Sequence, residues 1–145
     1  MLQNIEIISV NYNTPKYINN LIDSIRKNTT FDFPIRIIDG SNHLSYINQL
    51  DDVIQKFNNV SVEHFKYNIH HGPGMDYAIC NSKYKYVLTI DSDVTIISNF
   101  ENILCDAINI NKAFSGYSSY VNKYGIDVKE KNILYPHHRF LLVNT

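Results

Sequence analysis

Short apolar runs that alternate with helical stripes constrain the fold of this chain more than any other feature. Ile5–Val10, Ile35–Ile38, Val60–Phe65 and Tyr86–Ile90 are runs of strand length, rich in β-branched residues. The last is apolar enough to be buried on both faces of a sheet. Between them lie stripes at helical spacing. Thr14 and Pro15 make an N-cap and first-turn pair ahead of Tyr17, Ile18, Leu21, Ile22 and Ile25. Ile47, Leu50, Ile54 and Phe57 form a second stripe, and Met75, Ala78 and Ile79 mark a short third helix. Ser98-Asn-Phe-Glu101 has the pattern of a capping box before Phe100, Ile103, Leu104, Ala107 and Ile108. Ala113–Val121 and Arg139–Val143 read as two later strands. This βα alternation predicts an α/β fold, a mostly parallel sheet with helices on both faces and right-handed crossovers.

Length and composition narrow the class. With 145 residues the chain is expected to form one domain over 1–145, since roughly 150 residues is the usual domain size. Thirteen basic and fourteen acidic residues leave a net charge of −1, which offers no broad cationic surface to a nucleic-acid backbone. Cys80 and Cys105 form no CxxC and read as ordinary thiols in a reduced compartment. The amino-terminal Met-Leu-Gln-Asn has no basic leader, and no apolar stretch approaches the roughly 20 residues of a membrane helix. The expected location is cytoplasmic, or host-cytoplasmic if the heavy use of Ile, Asn, Lys and Tyr reflects a viral, AT-rich source.

In parallel α/β sheets ligands sit beyond the carboxyl ends of the strands. Three polar clusters fall there: Asn11–Thr14, Asp39–Asn42 and Asp91–Asp93. Asp91 and Asp93, two residues apart on extended chain, can point the same way and would repel without a cation between them. A hard divalent ion such as Mg²⁺ or Mn²⁺, its shell completed by a phosphate, suits that pair. The plainer alternative is a pair of solvated turn aspartates. Asp91-Ser-Asp-Val-Thr95 also matches the D-x-D-x-T pattern of haloacid-dehalogenase-like phosphatases, whose first Asp is a nucleophile. In those enzymes, however, the motif ends the first strand and an adjacent acidic pair follows; Asp106, Asp127 and Glu130 are scattered.

The whole order of motifs resembles another class. Ile-Ile-Ser-Val-Asn-Tyr-Asn, Ile-Ile-Asp-Gly-Ser, a Gly-rich turn before a short helix, and Leu-Thr-Ile-Asp-Ser-Asp together resemble GT-A-fold glycosyltransferases of family 2 over roughly residues 4 to 100. The resemblance implies a metal-dependent transfer of a sugar from a nucleotide-diphosphate donor, with UDP the implied nucleotide, to an acceptor that the sequence does not name. It places Asn11, Tyr12 and Asn13 at the nucleotide, with Tyr12 against the base and Asp39 accepting a hydrogen bond from it. It sets Asp91 and Ser92 near the ribose or metal-bound water, and Asp93 on the Mn²⁺ or Mg²⁺ that holds the diphosphate.

Gly72 and Gly74 of the turn His70-His71-Gly72-Pro73-Gly74 would let the backbone approach a diphosphate at a helix N-terminus, or form a plain left-handed turn. The turn is neither a Walker loop nor a dinucleotide fingerprint. By the same resemblance one of His137 and His138 supplies a third metal ligand; neighbours on extended chain face opposite ways, so only one reaches the site. Asp127 and Glu130 are the only acids after residue 106 and the only candidates for a catalytic base, since the half that carries acceptor contacts in family 2 is largely missing. The remaining alternatives are the phosphatase and a nucleotide-sugar-binding module without transfer activity. Uncovered strand edges and a tyrosine-rich surface predict a homo-oligomer.

Overall fold

The computed structural model describes residues 1–121 and 133–145, with side chains for 1–116 and 140–145. The strands are β1 (Ile5–Asn11), β2 (Ile35–Asp39), β3 (Val60–His64), β4 (Tyr86–Ile90), β5 (Phe114–Val121) and β6 (Ile133–Asn144). The helices are α1 (Pro15–Asn28), α2 (Leu44–Ile54), α3 (His71–Cys80) and α4 (Glu101–Ile110). The sheet order is β3-β2-β1-β4-β6-β5. Its first four strands are parallel, and β6 runs antiparallel to both β4 and β5. The architecture is the mostly parallel α/β sheet expected from the alternation.

Alternating side chains of the central strands feed two cores. On one face Ile5, Ile7, Ile37, Leu88 and Ile90 meet Ile18, Leu21, Ile22 and Ile25 of α1, Leu50 and Val53 of α2, and Leu104 of α4. On the other, Ile8, Ile38 and Val87 meet Ile69 and the Met75 and Ala78 side of α3. Both faces are therefore covered, which is why the central runs read as continuously apolar. Among the described residues no helix is long and apolar enough to cross a membrane.

The ends of several elements differ from the sequence reading, each for a local reason. Helix α2 stops at Ile54, and Phe57 packs on the core from the turn beyond it. Ile103 lies on the outer side of α4 at 63% exposure, while Leu104 is buried. Strand β6 begins at Ile133 rather than Arg139 because it pairs with the whole of β5, beyond its pairing with β4. Thr14 caps α1 in position only, its side chain being engaged elsewhere.

The capping box at Ser98 does not form. Phe100 is the N-cap, the Glu101 amide donates to Asn99 Oδ1 at 2.8 Å, and the Glu101 carboxylate crosses to the loop after α1. There it accepts from the amides of Thr30 and Phe31, both at 2.7 Å, and from Thr30 Oγ1 at 2.8 Å. Partial burial opposes its charge, but the Phe31 amide, Asn99 and Thr30 outweigh that and lower its pKa from 4.5 to about 2. A depressed carboxyl pKa contributes stability that is complete above the unfolded value and disappears as pH falls through the folded one. Glu101→Gln is therefore expected to lower the melting temperature at pH 7, by the equivalent of roughly 1–2 kcal/mol for charge-assisted hydrogen bonds at a half-exposed site. The deficit should shrink between pH 4.5 and 2. Thermal melts of both proteins from pH 7 to 2 check this; a deficit that stays constant with pH would assign the effect to packing.

Candidate functional site

Successive strands step from β1 to β2 to β3 on one side, and the chain then returns to place β4 on the other side of β1. That reversal opens a crevice between the carboxyl ends of β1 and β4, where open α/β sheets bind ligands. A cleft of about 380 Å³ lies there. Asn11, Tyr12 and Thr14 form one wall, and Asp91, Ser92 and Asp93 form another. The start of α3 contributes His70 and His71, and Tyr17 of α1 lines the same space.

The β1 wall is held by buried polar groups in register. Parallel pairing sets Asn11 beside Asp39 and Asp39 beside His64 across β1, β2 and β3. Asn11 Nδ2 donates to Asp39 Oδ1 at 2.8 Å, and Thr14 Oγ1 donates to Asn11 Oδ1 at 2.8 Å. Ser41 donates to the same Asp39 oxygen through its amide at 3.1 Å and its hydroxyl at 2.6 Å. The Asn13 amide, in a left-handed residue with φ 56°, donates to Ser41 Oγ at 2.9 Å. Asp39 is thus wholly buried beneath the loop that carries Tyr12, with its carboxylate turned to protein donors and not to the cleft. Gly40 follows because the Tyr67–Ile69 backbone passes over it: a Cβ would meet Ile69 N at 3.0 Å and Tyr67 O at 3.1 Å.

The opposite wall joins two motifs that are separate in sequence. A turn closed by the Val94 amide on Asp91 O at 3.1 Å presents Asp91, Ser92 and Asp93 to the cleft. Asp91 Oδ1 lies 3.1 Å from His71 Nε2, and that contact raises the imidazole pKa above its ordinary value against the opposing pull of burial. The left-handed residue of the preceding turn is His70, with φ 62°, and not one of its glycines. Gly72 faces open space, whereas a Cβ on Gly74 would meet the Val10 side chain at 3.2 Å, so Gly74 serves packing of α3 on β1. His71, Asn68 and Tyr17 belong to the cleft although no motif assigned them there; His71 alone carried a signal, as part of the quoted turn.

Asp127 and Glu130 lie outside the described residues, as do the side chains of His137 and His138. Among the described residues no three His, Cys, Asp or Glu side chains cluster to hold a metal. The donor set of Asp91 and Asp93 still suits a hard divalent ion, which takes few protein carboxylates and completes its shell from phosphate and water.

Comparison with known proteins agrees with the fold. TarS 1–349 of S. aureus, solved in complex with UDP, superposes with a TM-score of 0.60 at 21% identity over 87% of this chain and 39% of its own. The mannosyltransferase PcManGT of Pyrobaculum calidifontis, in complex with GDP-Man and Mn²⁺, gives 0.68 at 11% identity over 97% of this chain and 44% of its own. The galactosyltransferase LgtC, with donor and acceptor sugar analogues, gives 0.65 at 17% identity over 96% and 57%. The chain thus spans less than two thirds of the length of each of these enzymes. No curated protein matches it in sequence. The profile of glycosyl transferase family 2 matches residues 6–144, nearly the whole chain, and the protein belongs to that family.

Proposed function

We propose that this domain binds the nucleoside diphosphate of a sugar donor in the cleft between β1 and β4 and transfers the sugar to an acceptor. The observation that carries the reading is the pairing of two unlike walls. Tyr12 is a half-exposed ring on a hydrogen-bonded loop, suited to stack on a base. Across from it Asp91, Asp93 and His71 suit the charged end of the donor. Tyr12 orients the base, and Asn11 holds the loop by its bonds to Asp39 and Thr14. His71, at the first turn of α3, brings positive charge to the diphosphate. Asp91 and Asp93 would hold Mn²⁺ or Mg²⁺, which when bound offsets the negative charge growing on the diphosphate leaving group. The structures of TarS with UDP and of PcManGT with GDP-Man and Mn²⁺ support a nucleotide donor and a divalent ion.

UDP is the proposed nucleotide. Thermal-shift measurements with UDP, GDP, UDP-glucose and UDP-GlcNAc, with and without Mn²⁺, test the site directly. A UDP-selective rise that requires Mn²⁺ is expected, and no response to any nucleotide would remove the proposal. Release of UDP from a UDP-sugar distinguishes transferase from binding module. The proposal extends to a homo-oligomer of this chain: β5 is a sheet edge, and Ile103, Ile110 and Phe114 are exposed beside the apolar groove between α4 and β6. A monomer by light scattering at micromolar concentration would remove that part.

A further inference from the structure

Two strands away from β1, at the end of the edge strand β3, a histidine joins two carboxylates from different elements. His64, the last residue of β3, has Nδ1 2.7 Å from Asp39 Oδ2 and Nε2 3.0 Å from Asp51 Oδ1 on α2. A neutral imidazole carries one N–H and one lone pair, so it could donate to only one of these carboxylates and would point its lone pair at the other. Only the imidazolium donates to both. Asp39 gives the protonated form its importance: its Oδ1 is supplied by Asn11 and Ser41, but those donors are neutral, and the carboxylate is wholly buried. His64 is the cation that compensates it. From Asp39 the chain of contacts continues to Asn11 and Thr14, and through Ser41 to the Asn13 amide, on either side of Tyr12.

We propose that His64 is a positioning residue for the nucleotide cleft: as an imidazolium clamped between Asp51 and Asp39 it fixes the Asp39 carboxylate, and through it the Asn11–Thr14 loop, so that nucleotide binding depends on the His64 proton. The proposal rests on the nucleotide reading of the cleft, and none of the groups in the clamp is among the carboxylates assigned to the metal. The charged groups set against the ring are Asp39 from β2 and Asp51 from α2. Burial lowers its pKa, but its hydrogen bonds to Asp51 and Asp39, and then their charges, raise it overall above the ordinary 6.5. A group with a raised pKa contributes below its unfolded value, and that contribution is lost as pH rises through the folded one. Nucleotide affinity should accordingly be highest in mildly acidic to neutral solution and fall on the alkaline side, by about tenfold for a coupling of ordinary size. Reciprocally, bound nucleotide should raise the His64 pKa further.

The test has two independent readouts on the full chain. Proton NMR of the ligand-free protein follows the His64 imidazole and the backbone amides of Tyr12 and Asn13 from pH 5 to 9. His64 is expected to titrate above 6.5, with the Asn13 amide moving at the same midpoint. Asp51→Asn removes one carboxylate from the half-buried end of the clamp and should lower both midpoints together. Titration calorimetry with UDP and Mn²⁺ over the same range should show affinity falling through that midpoint in the wild type and at lower pH in Asp51→Asn. His64→Gln, which is neutral at every pH, should bind weakly without that pH dependence. A His64 that titrates below 6.5, an Asn13 amide indifferent to it, or UDP affinity flat across the His64 midpoint would overturn the positioning role. If neither UDP nor GDP binds at any pH while His64 and Asn13 titrate together, the clamp stands and the nucleotide reading falls.

Discussion

Exchange of Asp93 for asparagine is expected to leave the fold intact and to reduce metal-dependent release of UDP from a UDP-sugar by roughly a hundredfold or more. The side chain is exposed on the turn after β4, so an isosteric neutral amide disturbs no packing. What it removes is one negative charge from a donor set that a hard cation selects by charge and oxygen count. Apparent stability without metal should be unchanged or slightly higher, because Asp93 no longer repels Asp91. Asp91→Asn is a different experiment. It breaks the contact with His71 as well, so it alters both the carboxylate pair and the imidazole beside it. Comparing Mn²⁺ affinity with UDP affinity separates the two: Asp93→Asn should lose mainly the first, Asp91→Asn some of each. Wild-type Mn²⁺ affinity in Asp93→Asn would show that the paired carboxylates are not the metal site.

The strands, the helical stripes and two walls of the cleft were legible in the sequence for one physical reason. Burial on both faces of a parallel sheet forces apolar runs, so polar residues collect where those runs stop. Asn11, Asp39 and Asp91 were located in this way. What they touch was not legible. Asp39 looks like a group free to meet a ligand until the register sets it between Asn11 and His64 and buries it. His64 itself ends an ordinary-looking strand. Its partners lie 25 and 13 residues away, and only the docking of α2 beside β3 brings Asp51 to it. Thr14 and Glu101 carry the same lesson at helix starts. Both have capping signatures, yet Thr14 gives its hydroxyl to Asn11 at the end of β1, and Glu101 gives its carboxylate to the loop after α1.

This burial also changes which variants are informative. Asp39→Ala is no clean test of base recognition, because it would strand Asn11, Ser41 and an imidazolium at once. Its first effect is on the fold, so Asp51→Asn, at the half-exposed end of the same clamp, isolates the cleft more cleanly.

The largest expected effect on stability lies at the other end of the sheet, away from the cleft. Arg36 of β2 is buried and reaches three elements: Nε and Nη2 donate to the Glu6 carboxylate of β1 at 3.1 and 3.0 Å, Nη1 to Glu63 of β3 at 2.9 Å, and Nη2 to Ala78 O of α3 at 2.8 Å. Glu6 is itself buried and has a further donor in Ser82 Oγ at 2.8 Å, while Tyr77 donates to Glu63 at 2.9 Å. A fork with several donors suits this place, where one side chain must satisfy two carboxylates and a helix carbonyl. Arg36→Ala leaves the Glu6 carboxylate buried without its cation, and breaking one partner of a buried pair costs about 3–5 kcal/mol. Against the roughly 5–15 kcal/mol that holds a domain of this size, that is enough to leave a substantial unfolded fraction at moderate temperature. The sign of the pH dependence identifies the cause. Stranded without Arg36, Glu6 is least costly when protonated, so the variant's deficit should narrow as pH falls from 8 to 5, whereas loss of packing alone would keep it constant. Urea denaturation across that range reads the difference. Glu6→Gln combined with Arg36→Ala should recover part of the loss, since the double variant buries no unpaired charge, and a double variant as unstable as Arg36→Ala alone would place the cost in the side-chain packing of the arginine instead.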